Sequence, residues 1–163
     1  MTTFNNVIDR AMFLQQDYRL DKLYVNDNAS FTMFITQFLL NSIDTFDGVL
    51  DSLSYHSEVI DDNTIYIFDR DLTSKEIYIL ALGISIEWMS NNLLDITQMN
   101  LHLSTRDFKA FSEANNLQRK SEVLNTMREN YYKNITDYQL NNISSLPFFG
   151  GNWVWYYLVI VNM

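Results

Sequence analysis

The stretch that decides the fold runs from Thr73 to Trp88 and has the sequence TSKEIYILALGISIEW. Its first four residues match the capping box S/T-x-x-E, in which two side chains bond the free backbone N–H groups at a helix start. The residues that follow are apolar almost all round, which predicts a central helix buried on most sides. The alternating isoleucines also fit a strand, but the capping box and the continuation through Leu93 favour a helix. Gly83 predicts a close helix crossing.

Further helices are predicted on the N-terminal side. Apolar residues recur at helical spacing from Phe4 to Met12, with Thr3 as the N-cap. Residues 17–23 are predicted to form a turn or a short helix, and a longer helix is capped by Asp27 or Asn28. The same spacing after Asp44 predicts another helix. The apolar positions of these last two helices are Phe31, Phe34, Ile35, Phe38, Leu39, Ile43, Phe46, Val49, Leu50 and Leu53.

A small hairpin is predicted between these helices and the central one. Residues 58–60 and 64–68 are rich in β-branched and aromatic side chains and flank Asp61-Asp62-Asn63, a cluster typical of a tight turn.

The C-terminal half begins with a second cap at residues 104–107, before the longest predicted helix. Its apolar stripe includes Leu117, Leu124, Tyr131 and Tyr138, which fall seven positions apart. Pro147 ends the helical pattern. The sequence therefore predicts a mainly α fold, a helical bundle with a small β-hairpin and an extended C-terminal arm. Residues 1–146 form the helical domain and residues 147–163 an apolar docking tail.

Composition excludes several classes of protein. The chain has 163 residues, no cysteine and a net charge of −9. Residues 1–71 contain 12 acidic and 4 basic residues, a net charge of −8. Residues 72–163 contain 8 acidic and 7 basic residues, a net charge of −1. This negative charge argues against a nucleic-acid-binding protein, because binding the phosphate backbone requires clustered Lys and Arg. The acidic half is interpreted as a solvated face rather than a cation-binding surface.

No pattern for catalysis or metal binding is present. His56 and His102 are far apart, and neither has a second ligand at metal-binding spacing. A calcium loop starting at Asp69 lacks the required glycine and has Leu80 where glutamate belongs. No Gly-flanked serine turn or Gly-rich phosphate loop occurs. The sequence therefore predicts no enzyme, no cofactor, and no catalytic, cofactor-binding or metal-binding residue.

The tail carries the strongest sign of a partner. It is nearly free of charge and rich in β-branched and aromatic residues, so it would promote aggregation if left exposed on a monomer. It either forms a last strand on its own domain or docks into a neighbouring subunit or partner. The predicted partner-binding residues are Phe148, Phe149, Trp153, Trp155, Tyr156 and Tyr157.

No membrane association is expected. The N-terminus has no basic region followed by an apolar one, as a secretory signal would. The most apolar stretches, Ile77–Ile86 and Trp153–Val161, are shorter than the ~20 residues that span a bilayer. A cytosolic protein is predicted.

Three segments resemble the head–tail connector proteins (adaptor, or neck, proteins) of tailed bacteriophages that infect low-GC Gram-positive bacteria. Residues 106–117, RDFKAFSEANNL, are similar to the stretch DFK-x-x-S-x-A-x-x-L that opens the last long helix of that family. The segment from Glu76 to Trp88 resembles the preceding helix, and residues 17–23 resemble an N-terminal element. Residues after Asn142 match nothing in the family pattern.

The resemblance implies a virion protein of the neck, assembled in the host cytoplasm. It implies a homo-oligomeric ring, a dodecamer, that binds the portal protein and a downstream neck or tail protein. DNA would pass through the channel without specific binding during genome ejection. An acidic channel wall agrees with this role, because it would repel DNA and let it slide.

The alternative is a free-standing acidic binding protein, such as a DNA mimic that inhibits a host nucleic-acid enzyme. It would use the same negative charge, but it predicts a monomer or dimer and absence from mature virions.

Overall fold

The structure is a computed structural model that describes residues 1–46, 49, 51–60, 63–102 and 107–142. The described part is mainly helical with one antiparallel hairpin, which confirms the predicted helical bundle with a hairpin, whereas the predicted extended C-terminal arm lies outside the described residues. The elements are α1 (Phe4–Gln15), α2 (Tyr18–Asn26), α3 (Asn28–Thr45), β1 (Tyr55–Ile60), β2 (Asn63–Phe68), α4 (Ser74–His102) and α5 (Asp107–Asn141). The boundary predicted at residues 146/147 lies outside the described residues.

Helix α4 is the centre of the bundle, as predicted. The hydroxyl of Thr73 accepts a hydrogen bond from the Glu76 N–H at 3.2 Å, and the Thr73 N–H donates to the Glu76 carboxylate at 2.7 Å. Both halves of the capping box are therefore formed. Helices α1, α3 and α5 pack against α4. The side chains of Ile79, Leu80 and Ile84 are completely buried there.

Gly83 lies where α3 crosses α4, which confirms the predicted close approach. A Cβ atom on Gly83 would lie 2.0 Å from the Ser42 hydroxyl oxygen and 2.7 Å from the Ser42 Cβ. The Ser42 hydroxyl donates to the Leu80 carbonyl at 3.0 Å across the same crossing. Only hydrogen fits at position 83.

The hairpin packs on the start of α1. Strands β1 and β2 pair from Tyr55↔Phe68 to Ile60↔Asn63. The Phe68 N–H donates to the Thr2 carbonyl at 2.9 Å, and the Phe4 ring lies 5.0 Å from the Phe68 ring. Thr3 caps α1 and Asp27 caps α3, as predicted.

The prediction of a separate helix after Asp44 is wrong. Helix α3 ends at Thr45, and residues 51–54 have no helical backbone. Phe46 and Leu53 are nonetheless buried, so the apolar spacing reflects burial of an irregular segment. The carbonyl groups at 51 and 52 accept hydrogen bonds from Arg70 instead of from a following helical turn.

Helix α5 runs antiparallel to α4 and confirms the predicted long helix. Its C-terminal part lies beside the start of α4, where Lys75 donates to Asn134 at 2.6 Å. Its Arg128 donates to Ser90, further along α4. The buried side chains of its described part are Leu124, Tyr131, Ile135 and Tyr138. Most of the described surface of α5 is therefore open.

One helix segment, Ser74–Leu94, is long and apolar enough by length and composition to cross a membrane. The stretch is twice as long as the one singled out from sequence, because it continues past Ile86. A core helix passes the same test, and here α1, α3 and α5 pack against the segment and bury Ile79, Leu80, Ala81, Ile84 and Ile86, whereas Leu94 is exposed.

Candidate partner-binding site

The predicted partner-binding residues of the tail, Phe148, Phe149, Trp153, Trp155, Tyr156 and Tyr157, all lie outside the described residues. The described chain ends just after α5, where the Asn142 side chain donates to the Tyr138 carbonyl at 2.8 Å. The tail therefore starts from the end of the bundle that holds the N-terminus of α4.

That end contains a buried ionic cluster. Two nitrogens of the Arg70 guanidinium donate to the two Glu76 carboxylate oxygens at 2.6 and 3.0 Å. The Tyr138 hydroxyl donates to the same carboxylate at 2.8 Å. Glu76 is only 1% exposed. The cluster thus ties the segment after β2 to the start of α4 and to the last turns of α5.

The cluster keeps Glu76 ionised. Burial alone would raise the pKa of Glu76, but hydrogen bonds from Arg70, from the Thr73 N–H and from Tyr138 outweigh it and lower the pKa from 4.5 to about 2. A carboxylate that is fully bonded in this way is a poor proton donor or acceptor near neutral pH. Glu87 stands eleven positions further along α4, about 16 Å at 1.5 Å per residue, so the two acids do not form a catalytic pair.

The surface around the hairpin is acidic. The exposed acids described there are Asp51, Glu58, Asp69 and Asp71, of which Asp71 pairs with the N-terminal ammonium at 2.9 Å. Arg70 is already paired with Glu76, so it does not offset them. His56 lies 2.6 Å from Asp69 and 3.4 Å from Glu58, and the hydrogen bond with Asp69 is the main cause that raises the pKa of His56. Within the described ranges, no three His, Asp or Glu side chains could hold a metal ion.

A groove of about 540 Å³ lies between α1, α2 and α3. Its floor is apolar and consists of Ile8, Met12, Phe31 and Ile35, and its rim consists of Asn5, Asp9, Asp21, Tyr24, Asn28 and Thr32. No Lys or Arg is among these lining residues. The groove is therefore an apolar cleft bordered by two carboxylates.

Large apolar side chains are exposed on several parts of the described surface, including Met1, the hairpin residues Tyr55, Val59 and Tyr66, and Leu94 of α4. Two further groups lie on the outer helices. On α1, α2 and α3 they are Phe13, Tyr18, Tyr24, Val25, Met33 and Phe34, which we call the α1–α3 surface. Along α5 they are Val123, Tyr132 and Leu140, which we call the α5 surface. Apolar groups of this size on a folded domain are typical of protein-binding surfaces when they lie close together.

The groove and the ionic cluster were not predicted from the sequence. Met33 and Phe34, next to the buried Phe31 and Ile35, signal only the exposed α1–α3 surface, because an apolar run wider than one helix face leaves side chains outside the core. Nothing in the spacing of Arg70 and Tyr138 indicated that both would meet Glu76.

Comparison with known proteins identified no matching protein family, no curated relative and no similar solved structure.

Proposed function

We propose that this chain is a structural subunit of the ring that joins the portal to the tail in a tailed bacteriophage. The observation that carries the proposal is where the connector-like segments lie. Residues 17–23 include the N-cap and first turns of α2, Glu76–Trp88 covers the buried half of α4, and residues 107–117 open α5. The three segments thus lie at or near the starts of α2, α4 and α5, which is compatible with the helical elements that the resemblance implies.

The distribution of charge supports a channel through which DNA moves. Four exposed acids, Asp51, Glu58, Asp69 and Asp71, lie on or next to the hairpin, and the nearby Arg70 is paired with Glu76. The N-terminal ammonium and Lys75 lie close by, but acids outnumber cations on this surface, and a net negative potential opposes adhesion of the phosphate backbone. The DNA would therefore pass without specific binding.

The two apolar surfaces support assembly into a ring. A two-fold dimer buries the same patch on both subunits, whereas unlike patches pair head to tail and close into a ring when the rotation allows. The α1–α3 surface and the α5 surface differ in position and composition, so head-to-tail pairing is the arrangement that would use both. The portal and a downstream neck or tail protein would contact the two faces of the ring.

The proposal predicts that the protein is part of the mature virion. Purified particles analysed by quantitative mass spectrometry should contain this chain in a fixed molar ratio to the portal protein. A DNA-mimic inhibitor acts in the infected cell and would be absent from particles. Abundance in the cell lysate together with absence from purified particles would therefore contradict the connector and favour the inhibitor.

A further inference from the structure

The rim of the groove between α1, α2 and α3 carries unused hydrogen-bonding capacity. The side chains of Asp9 and Asp21 make no hydrogen bond or ion pair with any described residue, and Tyr24 is 53% exposed. The floor beneath them is apolar. An occupant that fits would insert apolar side chains, offer N–H or O–H donors to the two carboxylates, and bring no negative charge.

The chain contains a segment with this chemistry. Residues 143–163, ISSLPFFGGNWVWYYLVIVNM, contain no Asp, Glu, Lys, Arg or His. Their two indole N–H groups and two tyrosine hydroxyls are donors attached to large apolar rings, which suits a cleft that is apolar inside and acidic at the rim. A segment of 21 residues is also long enough to reach a neighbouring subunit, at up to about 3.3 Å per residue when extended.

The groove and the origin of the tail lie on different helices of the described fold. Helices α1 and α5 both pack on α4, but they do not pack extensively on each other. The groove is formed by α1 together with α2 and α3, whereas the tail continues from the end of α5. If the α5 surface of one copy pairs with the α1–α3 surface of the next, the end of α5, from which the tail continues, comes towards the groove of that next copy.

We infer that the groove between α1, α2 and α3 binds the C-terminal tail of a neighbouring copy of this chain, with Trp153 and Trp155 as anchors. The inference rests on the proposed ring, because it requires several copies in one assembly. Each copy donates its tail to the next and receives one from the previous copy, so the contact is heterologous and repeats around the ring. The exchange would also bury the apolar tail, which would promote aggregation if it were exposed to solvent.

Disulfide cross-linking tests the inference directly, because the chain has no cysteine of its own. One full-length chain carries Thr32→Cys at the groove rim, and a second chain with a different tag carries Val154→Cys in the tail. The matched control is Gln37→Cys, which is exposed on the same helix but does not line the groove. Because a docked tail holds the two thiols at millimolar effective concentration, the mixed dimer should be about tenfold more abundant with Thr32→Cys than with Gln37→Cys.

A single chain that carries both Thr32→Cys and Val154→Cys distinguishes exchange between copies from docking within one copy. Exchange predicts a ladder of covalent multimers on a non-reducing gel. An internal disulfide that leaves a covalent monomer would overturn the inference, and so would cross-linking no greater than that of the Gln37→Cys control. Presence of the chain in virions is measured separately. Virion incorporation without cross-linking would therefore refute tail exchange alone, and cross-linking without incorporation would refute the connector alone.

Discussion

Replacing Arg70 by methionine is expected to lower the free energy of unfolding at pH 7 by about 3–5 kcal/mol, the usual cost of removing one partner of a buried ion pair. The substitution retains much of the side-chain volume but leaves the Glu76 carboxylate, 1% exposed, without its cation. It also removes the donors to the carbonyl groups of Asp51 and Ser52. Urea denaturation followed by circular dichroism measures the loss.

The matched control is Arg19→Met, which replaces an exposed arginine on α2 and should change stability by no more than about 0.5 kcal/mol. Adding Glu76→Gln to Arg70→Met should recover part of the lost free energy of unfolding, because it removes the buried carboxylate charge that no longer has a cationic partner. Equal losses of unfolding free energy in Arg70→Met and Arg19→Met would show that the ionic cluster makes no specific contribution to stability.

The same cluster predicts how this effect depends on pH. The folded pKa of Glu76, about 2, lies below its ordinary value of 4.5, so ionisation of Glu76 stabilises the fold above pH 4.5. The contribution, about 3 kcal/mol for a shift of this size, is lost as the pH falls from 4.5 towards 2. The difference between the natural protein and Arg70→Met should therefore shrink over this range. A difference that stays constant down to pH 2 would contradict the assignment.

Gly83→Ala is expected to destabilise the protein by about 1–3 kcal/mol, the range for overpacking a close-packed site. The sign is the informative part, because Gly→Ala in an exposed helix stabilises by up to about 1 kcal/mol. Here the new methyl group would lie 2.0 Å from the Ser42 hydroxyl oxygen and 2.7 Å from its Cβ. Rotation of the hydroxyl relieves only the first contact, so α3 and α4 must move apart. Thermal and urea unfolding measure the change.

Substitutions at Ser42 show whether the steric contact is the cause. Gly83→Ala should cost least in a Ser42→Gly background, which removes both contacted atoms, and more in a Ser42→Ala background, which keeps the Cβ. Equal costs in all three backgrounds would mean that the crossing is not limited by Ser42.

Local signals in the sequence predicted much of the fold. Two of these signals are the capping box at Thr73 and Glu76 and the seven-residue spacing of apolar positions in α5. Both depend on neighbours within one or two helical turns, so they can be recognised without tertiary information. The helix expected after Asp44 failed for the opposite reason. Arg70 takes up carbonyl groups at 51 and 52, and this contact between residues 18 or 19 positions apart overrides the apolar spacing.

The candidate site was less accessible to sequence analysis. The aromatic tail was recognisable from its composition, but the groove depends on how α1, α2 and α3 pack together, which no single helix specifies. Likewise, the role of Glu76 in capping was predicted, whereas its contact with Tyr138 joins residues 62 positions apart. Contacts of that separation are set by the whole fold.

The most direct test of the connector is an electron micrograph of the full-length protein mixed with the purified portal protein of the same phage. The account predicts a ring of this chain seated on the portal, with a central opening continuous with the portal channel, and a complex that co-migrates on sizing. A monomer or dimer that neither forms a ring nor migrates with the portal would contradict it.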